Sequence, residues 1–196
     1  LSLLYNTTED DRPVDSVMAL MRSHSKAIII DLRCYATQAV FYNKVFPALG
    51  RKLKRFATLS AHYTTFPGTY YAFDPYAGIP APPLLSTYNG KLILLVNQST
   101  HSQSEWITMM LQASGATVTV GVQTSGADGD MIYLPMPGGY TLSFSGRLVA
   151  YPDGRASQHL GVKIDRRVKI TTSDFHAGRD QILEEGISVG EKKSDY

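Results

Sequence analysis

With 196 residues, 43% of them hydrophobic and 18% charged, the chain has the make-up of an ordinary globular domain with a substantial core. A net charge of +2, with no basic run interleaved with aromatics, argues against a nucleic-acid partner. No apolar run approaches the ~20 residues of a membrane span, and the single Cys34 excludes an internal disulfide or a cysteine-rich zinc site.

The five histidines are scattered without ligand-like spacing, so neither a metal nor a cofactor is expected. The chain opens on Leu1 rather than methionine, and its start reads as an interior point of a longer precursor. Residues 1–5 suit a strand. Asp11 and Pro13 then read as the entry to an amphipathic helix carrying Val14, Val17, Met18 and Met21. Residues 26–32, KAIIIDL, form a β-branched run expected to be a strand buried on both faces. A helix followed so closely by such a strand suggests a βαβ unit.

Asp31 and Arg33 close that strand, either paired with each other or bordering a cleft at the strand end. Val40, Phe41, Val45, Phe46 and Leu49 make a helical stripe with a basic tail at 51–55. Residues 56–63 read as a strand. Residues 64–89, dense in proline and aromatics, read instead as a long ordered loop that either walls a peptide groove or packs over the sheet.

Residues 90–112, GKLILLVNQSTHSQSEWITMMLQ, hold the strongest local signal in the chain. An apolar strand at 91–96 runs into a turn at 97–100, and helical spacing resumes through Trp106, Met109 and Met110. Ser102 therefore sits at a helix start, where unpaired amides and the helix dipole favour negative charge. Two readings stand. Ser102-x-x-Glu105 is a capping box, or Ser102 is a nucleophile whose attack places charge on a carbonyl oxygen.

Downstream, 116–122 is a strand and QTSGADGD at 123–130 a glycine-rich turn, in which Asp128 and Asp130 read as turn-formers rather than as bases. Residues 131–134 and 140–145 bracket a hairpin, and 148–151 add a strand. A short edge strand is expected at 168–170 and one final amphipathic helix at 174–189.

Five segments in this order resemble the S41 peptidases, the C-terminal processing or tail-specific proteases and their tricorn-like relatives. They are KAIIIDLR from Lys26, GKLILLVNQSTHSQSE from Gly90, GVQTSGADGD from Gly121, YPDGR from Tyr151 with Gln158 and Gly161, and AGRDQILEEG from Ala177. Each is weak alone, but together they span nearly the whole chain. The resemblance implies an α/β fold, a ClpP/crotonase-like spiral of β-β-α units, with residues 1–196 as one catalytic domain lacking its upstream region. It puts the nucleophile at Ser102, a nearby glutamate at Glu105, and one oxyanion donor at the Gln103 N–H. It further implies serine-type endopeptidase action on extended polypeptides, and a secreted or bacterial envelope location.

Two departures accompany the likeness. Processing proteases of the family carry a base lysine in a T-x-G-K-G turn, and here that position is Ala127. The tricorn-like branch uses an upstream histidine instead, which would precede Leu1; His101 adjoins Ser102, but neighbouring side chains at a helix start diverge. The family is also glycine-rich after the first strand, whereas this chain reads Cys34-Tyr-Ala-Thr-Gln38, in which Cys34 is expected to be an inert apolar residue. These departures leave a rival, a degenerate domain that binds peptides without turnover. A crotonase-type acyl-CoA enzyme is a second, for which no CoA-phosphate sequence is present. Oligomeric state is not legible.

Overall fold

The computed structural model describes residues 16, 19–20, 26–36, 40–51, 54–63, 65–66, 68–73 and 88–192. The expected strand at 1–5 lies outside them. Of the first expected helix only 16, 19 and 20 are described, and these are helical.

In chain order the elements are β1 (Ala27–Asp31), a π-helical turn (Phe41–Val45) running into α1 (Phe46–Leu49), β2 (Thr58–His62) and β3 (Tyr70–Phe73). There follow β4 (Lys91–Val96), α2 (Gln103–Ala113), β5 (Thr117–Gly121), β6 (Met131–Met136), β7 (Tyr140–Ser145) and β8 (Arg147–Ala150). β9 (Arg166–Arg167), α3 (Thr172–His176) and α4 (Gln181–Glu191) close the chain.

A parallel sheet in the order β1-β4-β5-β9 forms the centre. β4 is its most buried strand, and its apolar run is continuous because both faces are covered. Leu92, Leu94 and Val96 point into a core shared with Phe41, Phe46, Ile107 and Met110. Ile93 and Leu95 point the other way, onto Ile182 and Val189 of α4. The period of two along β4 thus divides one sequence between two cores. α4 approaches closely because position 186 is glycine: a Cβ there would lie 2.7 Å from a Leu95 methyl.

β1 is less enclosed than its composition predicts. Ile28 and Ile30 are buried, while Ala27, Ile29 and Asp31 are half-buried, so the face toward α4 is only partly covered. A second, antiparallel sheet in the order β3-β2-β8 lies beside the first core, and β6 and β7 make a separate hairpin.

Three expectations are corrected. Within the stretch read as loop, Tyr70–Phe73 is a strand, registered His62 to Tyr70 against β2; residues 74–87 lie outside the described residues. The edge strand falls at Arg166–Arg167 rather than 168–170, because Val120 and Gly121 of β5 pair there. The final helix is two helices. α3 starts in a reciprocal capping box between Thr171 and Asp174, the chain turns at Gly178 with φ of 66°, and Asp180 caps α4 by accepting the Leu183 N–H.

Candidate active site

β4 and α2 are joined by a turn fixed from several directions. The Thr100 hydroxyl accepts the Asn97 N–H (3.0 Å) and donates to the Leu32 carbonyl (2.8 Å), tying the turn to the end of β1. The Ser125 N–H donates to the Thr100 carbonyl (3.0 Å), which brings the 123–130 turn alongside.

Ser102 follows, at φ 48° and ψ −119°, a region that L residues rarely occupy. Such strain, about 1–3 kcal/mol, persists only where surroundings impose it. Here the Ser102 N–H donates to the Ala127 carbonyl (3.1 Å) and the Ser102 carbonyl accepts from Trp106 (3.0 Å), fixing both sides of the residue. The capping box is absent: the Ser102 side chain makes no cap hydrogen bond. Its half-buried hydroxyl borders a pocket of about 270 Å³ instead.

Glu105 explains why. Its fully buried carboxylate accepts the Thr124 hydroxyl (2.6 Å), the Gly126 N–H (2.9 Å) and the Ala127 N–H (2.9 Å). It therefore holds the neighbouring turn rather than reaching back to Ser102. Gly126 is required there: φ is +63°, and a Cβ would lie 2.9 Å from the His159 backbone. Gln103, first residue of α2, has an N–H with no intrahelical partner beside the serine.

The pocket has an apolar wall of Leu59, Phe73, Trp106 and Val149 and a polar side of Ser102, Gln103, Asp128, Asp130 and Arg147. Trp106 is held by its indole N–H on the Tyr42 oxygen (2.9 Å) and by edge contact with Phe56. Burial pushes the Tyr42 phenol up, against the opposing Trp106 hydrogen bond. Two larger depressions, of about 360 and 330 Å³, lie at β9–α4 and beside Tyr151, and Ser102 reaches neither.

Asp128 is 6% exposed. Its Oδ1 accepts the Gly129 N–H (2.8 Å), while Oδ2 is buried without a partner, as is Nε2 of Gln103. Burial pushes the Asp128 carboxyl up to about 7; the Gly129 amide opposes this, and the charges of Glu105 and Asp130 add to it. Asp130 itself is paired with Arg147. His101 turns away, its Nδ1 on the Ser99 carbonyl (2.9 Å) and its ring against Tyr35.

At the end of β1, Asp31 and Arg33 pair with each other, and Arg33 also binds Asp180 (2.7 Å). The segment after them is clamped by Ser104, whose hydroxyl accepts the Ala36 N–H (2.8 Å) and donates to the Cys34 carbonyl (2.5 Å). Burial pushes the Cys34 thiol up, which disfavours a reactive thiolate. Among the described residues no cluster of three His, Cys, Asp or Glu side chains is placed to hold a metal, and no helix is long and apolar enough to cross a membrane.

The family model of peptidase family S41 matches residues 45–168, more than half the chain and all of the pocket lining except Tyr42. The chain belongs to peptidase family S41. A search of curated proteins finds no match. Among solved structures, a candidate peptidase from Parabacteroides merdae superposes with a TM-score of 0.73 at 18% identity, covering 99% of this chain and 60% of that one. Mature CPAF superposes with a TM-score of 0.73 at 14% identity, over 97% of this chain and 49% of that one. The photosystem II D1 C-terminal processing protease gives 0.56 at 15% identity, over 98% and 45%. These neighbours share the ClpP/crotonase-like α/β fold, and the S41 chain described here spans about half to three-fifths of their lengths.

Of the residues the resemblance names, Ser102 and Gln103 line one pocket while the Glu105 carboxylate turns onto residues 124–127, and two further features are not read from the sequence. Ser104 as a clamp and Asp128 as a buried group both depend on contacts far along the chain. The repeated glycines of GADGD give the turn, and nothing in that segment signals that one of its aspartates is enclosed.

Proposed function

We propose that this S41 domain, over residues 1–196, is the catalytic domain of a serine endopeptidase acting on extended polypeptides. The observation that carries the reading is the Ser102 backbone at φ 48°, with a hydroxyl that caps nothing and borders the pocket. A serine at a strained strand-to-helix turn is presented outward, which is what a nucleophile requires. Ser102 attacks the scissile carbonyl and the Gln103 N–H receives the resulting oxyanion. Glu105 fixes the facing turn, so that the amides at 126 and 127 cannot move under the reaction.

The substrate enters as an added strand. β8 is occupied along its outer side, where Val149 accepts from Ser157 and donates to Gln158. β3 is the open edge among the described residues, and its last residue, Phe73, lines the pocket. An extended chain paired on β3 is thereby led to Ser102. A secreted or envelope setting is the one the family resemblance implies.

The test is a fluorophosphonate probe applied to the full-length protein. Labelling that Ser102→Ala abolishes supports the peptidase. Absence of labelling in the full-length protein overturns it in favour of a peptide-binding domain, the reading that Ala127 in the lysine position favours.

A further inference from the structure

We infer that the adjoining rings of Phe73 and Tyr71 form two consecutive subsites for an extended substrate, selecting aromatic or large aliphatic side chains at two positions separated by one residue. The inference rests on Ser102 being the nucleophile and on substrate pairing along β3.

The strand registers align one face of the β3-β2-β8 sheet with the pocket. Leu59 pairs with Phe73 on one side and Val149 on the other, and all three line the pocket. Two residues along, Ala61 pairs with Tyr71 and with Arg147. Side chains two apart on a strand share a face, so this second row continues the wall from which the pocket is built. Arg147 lines the pocket as well, and Ala61, with only a methyl, raises no barrier between it and Tyr71. One step further, the Tyr63 N–H donates to the Thr69 carbonyl (2.9 Å), which keeps Tyr63 in register on the same face.

Aromatic side chains run unbroken along this face. The Tyr63 and Tyr71 ring centres are 4.8 Å apart, those of Tyr71 and Phe73 are 6.0 Å apart, and the Arg147 guanidinium lies 5.3 Å over Phe73. Phe73 is half-buried at the pocket, whereas Tyr63 and Tyr71 remain 44% and 43% exposed. The Tyr71 ring is thus braced by neighbours yet open to solvent. A braced ring offers a large apolar contact at little further cost in side-chain freedom.

An extended chain added to β3 sets alternate side chains beside Phe73 and Tyr71, since cross-strand neighbours lie ~5 Å apart and the next pair on the same face ~7 Å further along. The residue against Phe73 is the one nearer Ser102, because Phe73 lines the serine's pocket and Tyr71 stands outside it. Arg147 is neutralised by Asp130, so the outer position presents a ring rather than a charge.

The experiment is digestion of denatured casein by the full-length protein, with cleaved bonds mapped by mass spectrometry and kcat/KM then measured on internally quenched peptides copied from the best-cleaved site. Wild type is expected to enrich aromatic or large aliphatic residues at two positions, separated by one residue, on the same side of the bond. Replacing the outer one by serine in the peptide should lower kcat/KM about three- to tenfold. Tyr71→Thr, which keeps strand propensity at an edge position, should abolish that discrimination and leave discrimination at the inner position unchanged. Tyr71→Phe should retain both. A ring that served only to hold the β2–β3 hairpin would lower all peptides alike. Tyr63→Thr, which removes the brace, should weaken the outer discrimination about twofold and serves where Tyr71→Thr does not fold. Casein cleaved without the paired preference overturns the inference and leaves Ser102 as nucleophile. So does outer discrimination that survives the folded variant, or casein left intact by a wild type that labels with fluorophosphonate. If wild type neither labels nor cleaves, the peptidase reading fails and the inference with it.

Discussion

The 124–129 turn has two sides built on opposite rules. Toward α2, Glu105 satisfies Thr124, Gly126 and Ala127 at once, and Thr124 passes a further bond to the Val162 N–H (3.0 Å). Toward the pocket, Asp128 Oδ2 and Gln103 Nε2 are buried with no partner, and Ser102 is strained. Hydrogen bonds to a charged acceptor contribute about 1.5–3 kcal/mol each, whereas an orphaned buried polar group costs about 1–3 kcal/mol. The satisfied side therefore has enough in hand to hold the unsatisfied one in place. Groups left wanting partners at a pocket are poised to meet them in a ligand.

The sharpest way to break the comparison is at Ser102. Ser102→Ala should lower labelling or turnover about 10⁴-fold or more, as loss of a nucleophile does. Ser102→Gly should be equally inactive yet more stable by about 1 kcal/mol, since glycine accepts the positive φ without strain. A melting curve that does not rise for Ser102→Gly would deny that the turn stores strain.

Asp128→Asn comes next, and its gain in stability depends on pH. With its carboxyl raised to about 7 in the fold, against ~4 when unfolded, Asp128 binds a proton more tightly in the folded state. Stability is thus lost as pH rises from about 4 to 7 and is level above that, a displacement corresponding to roughly 4 kcal/mol. Asparagine cannot ionise. The variant should match wild type near pH 4 and exceed it by up to about 4 kcal/mol at pH 8, measured by urea unfolding at both pH values. Equal stabilities at pH 8 would show that Asp128 is not enclosed as described.

On the satisfied side, Glu105→Gln sets an amide N–H₂ against donors and should cost about 2–4 kcal/mol at neutral pH. Because the turn would shift, labelling of Ser102 should fall with it. Ser104→Ala removes both bonds to the 34–36 segment and should cost about 1–3 kcal/mol, with a smaller effect on labelling. An order reversed between these two would mean that the β1 end, rather than the 124–127 turn, positions the serine.

What could be read in the sequence follows the range of the interactions. β4 and α2 announce themselves because their apolar residues recur at local periods, and the 131–145 hairpin because its turn residues are local. The break between α3 and α4 was legible only as Gly178, which a helical pattern can absorb. The role of Glu105 was not legible: Ser-x-x-Glu describes a cap, and only the approach of residues 124–127, some twenty positions away, makes that glutamate a clamp. Asp128 was hidden for the converse reason, since a polar turn carries no local sign of burial.

The smallest expected effect lies at the edge of both regions, at Arg33. Its guanidinium binds Asp31 through two nitrogens and Asp180 through a third, joining the end of β1 to the cap of α4. The Arg33 hydrogen bond holds the Asp180 carboxyl below its ordinary value, with burial opposing it. The Asp180 side chain is 41% exposed, so solvent screening leaves the pair only about 0.5–1 kcal/mol. A depressed carboxyl stabilises the fold above the unfolded value of ~4 and loses that contribution as pH falls through and below it. Arg33→Ala should therefore be less stable than wild type by about 0.5–1 kcal/mol at pH 7, with the gap narrowing toward pH 3 and in high salt. A gap that persisted at pH 3 would mean Arg33 acts through its packed stem rather than its charge, and the β1 end would then belong with the apolar core and not with the polar frame around Ser102.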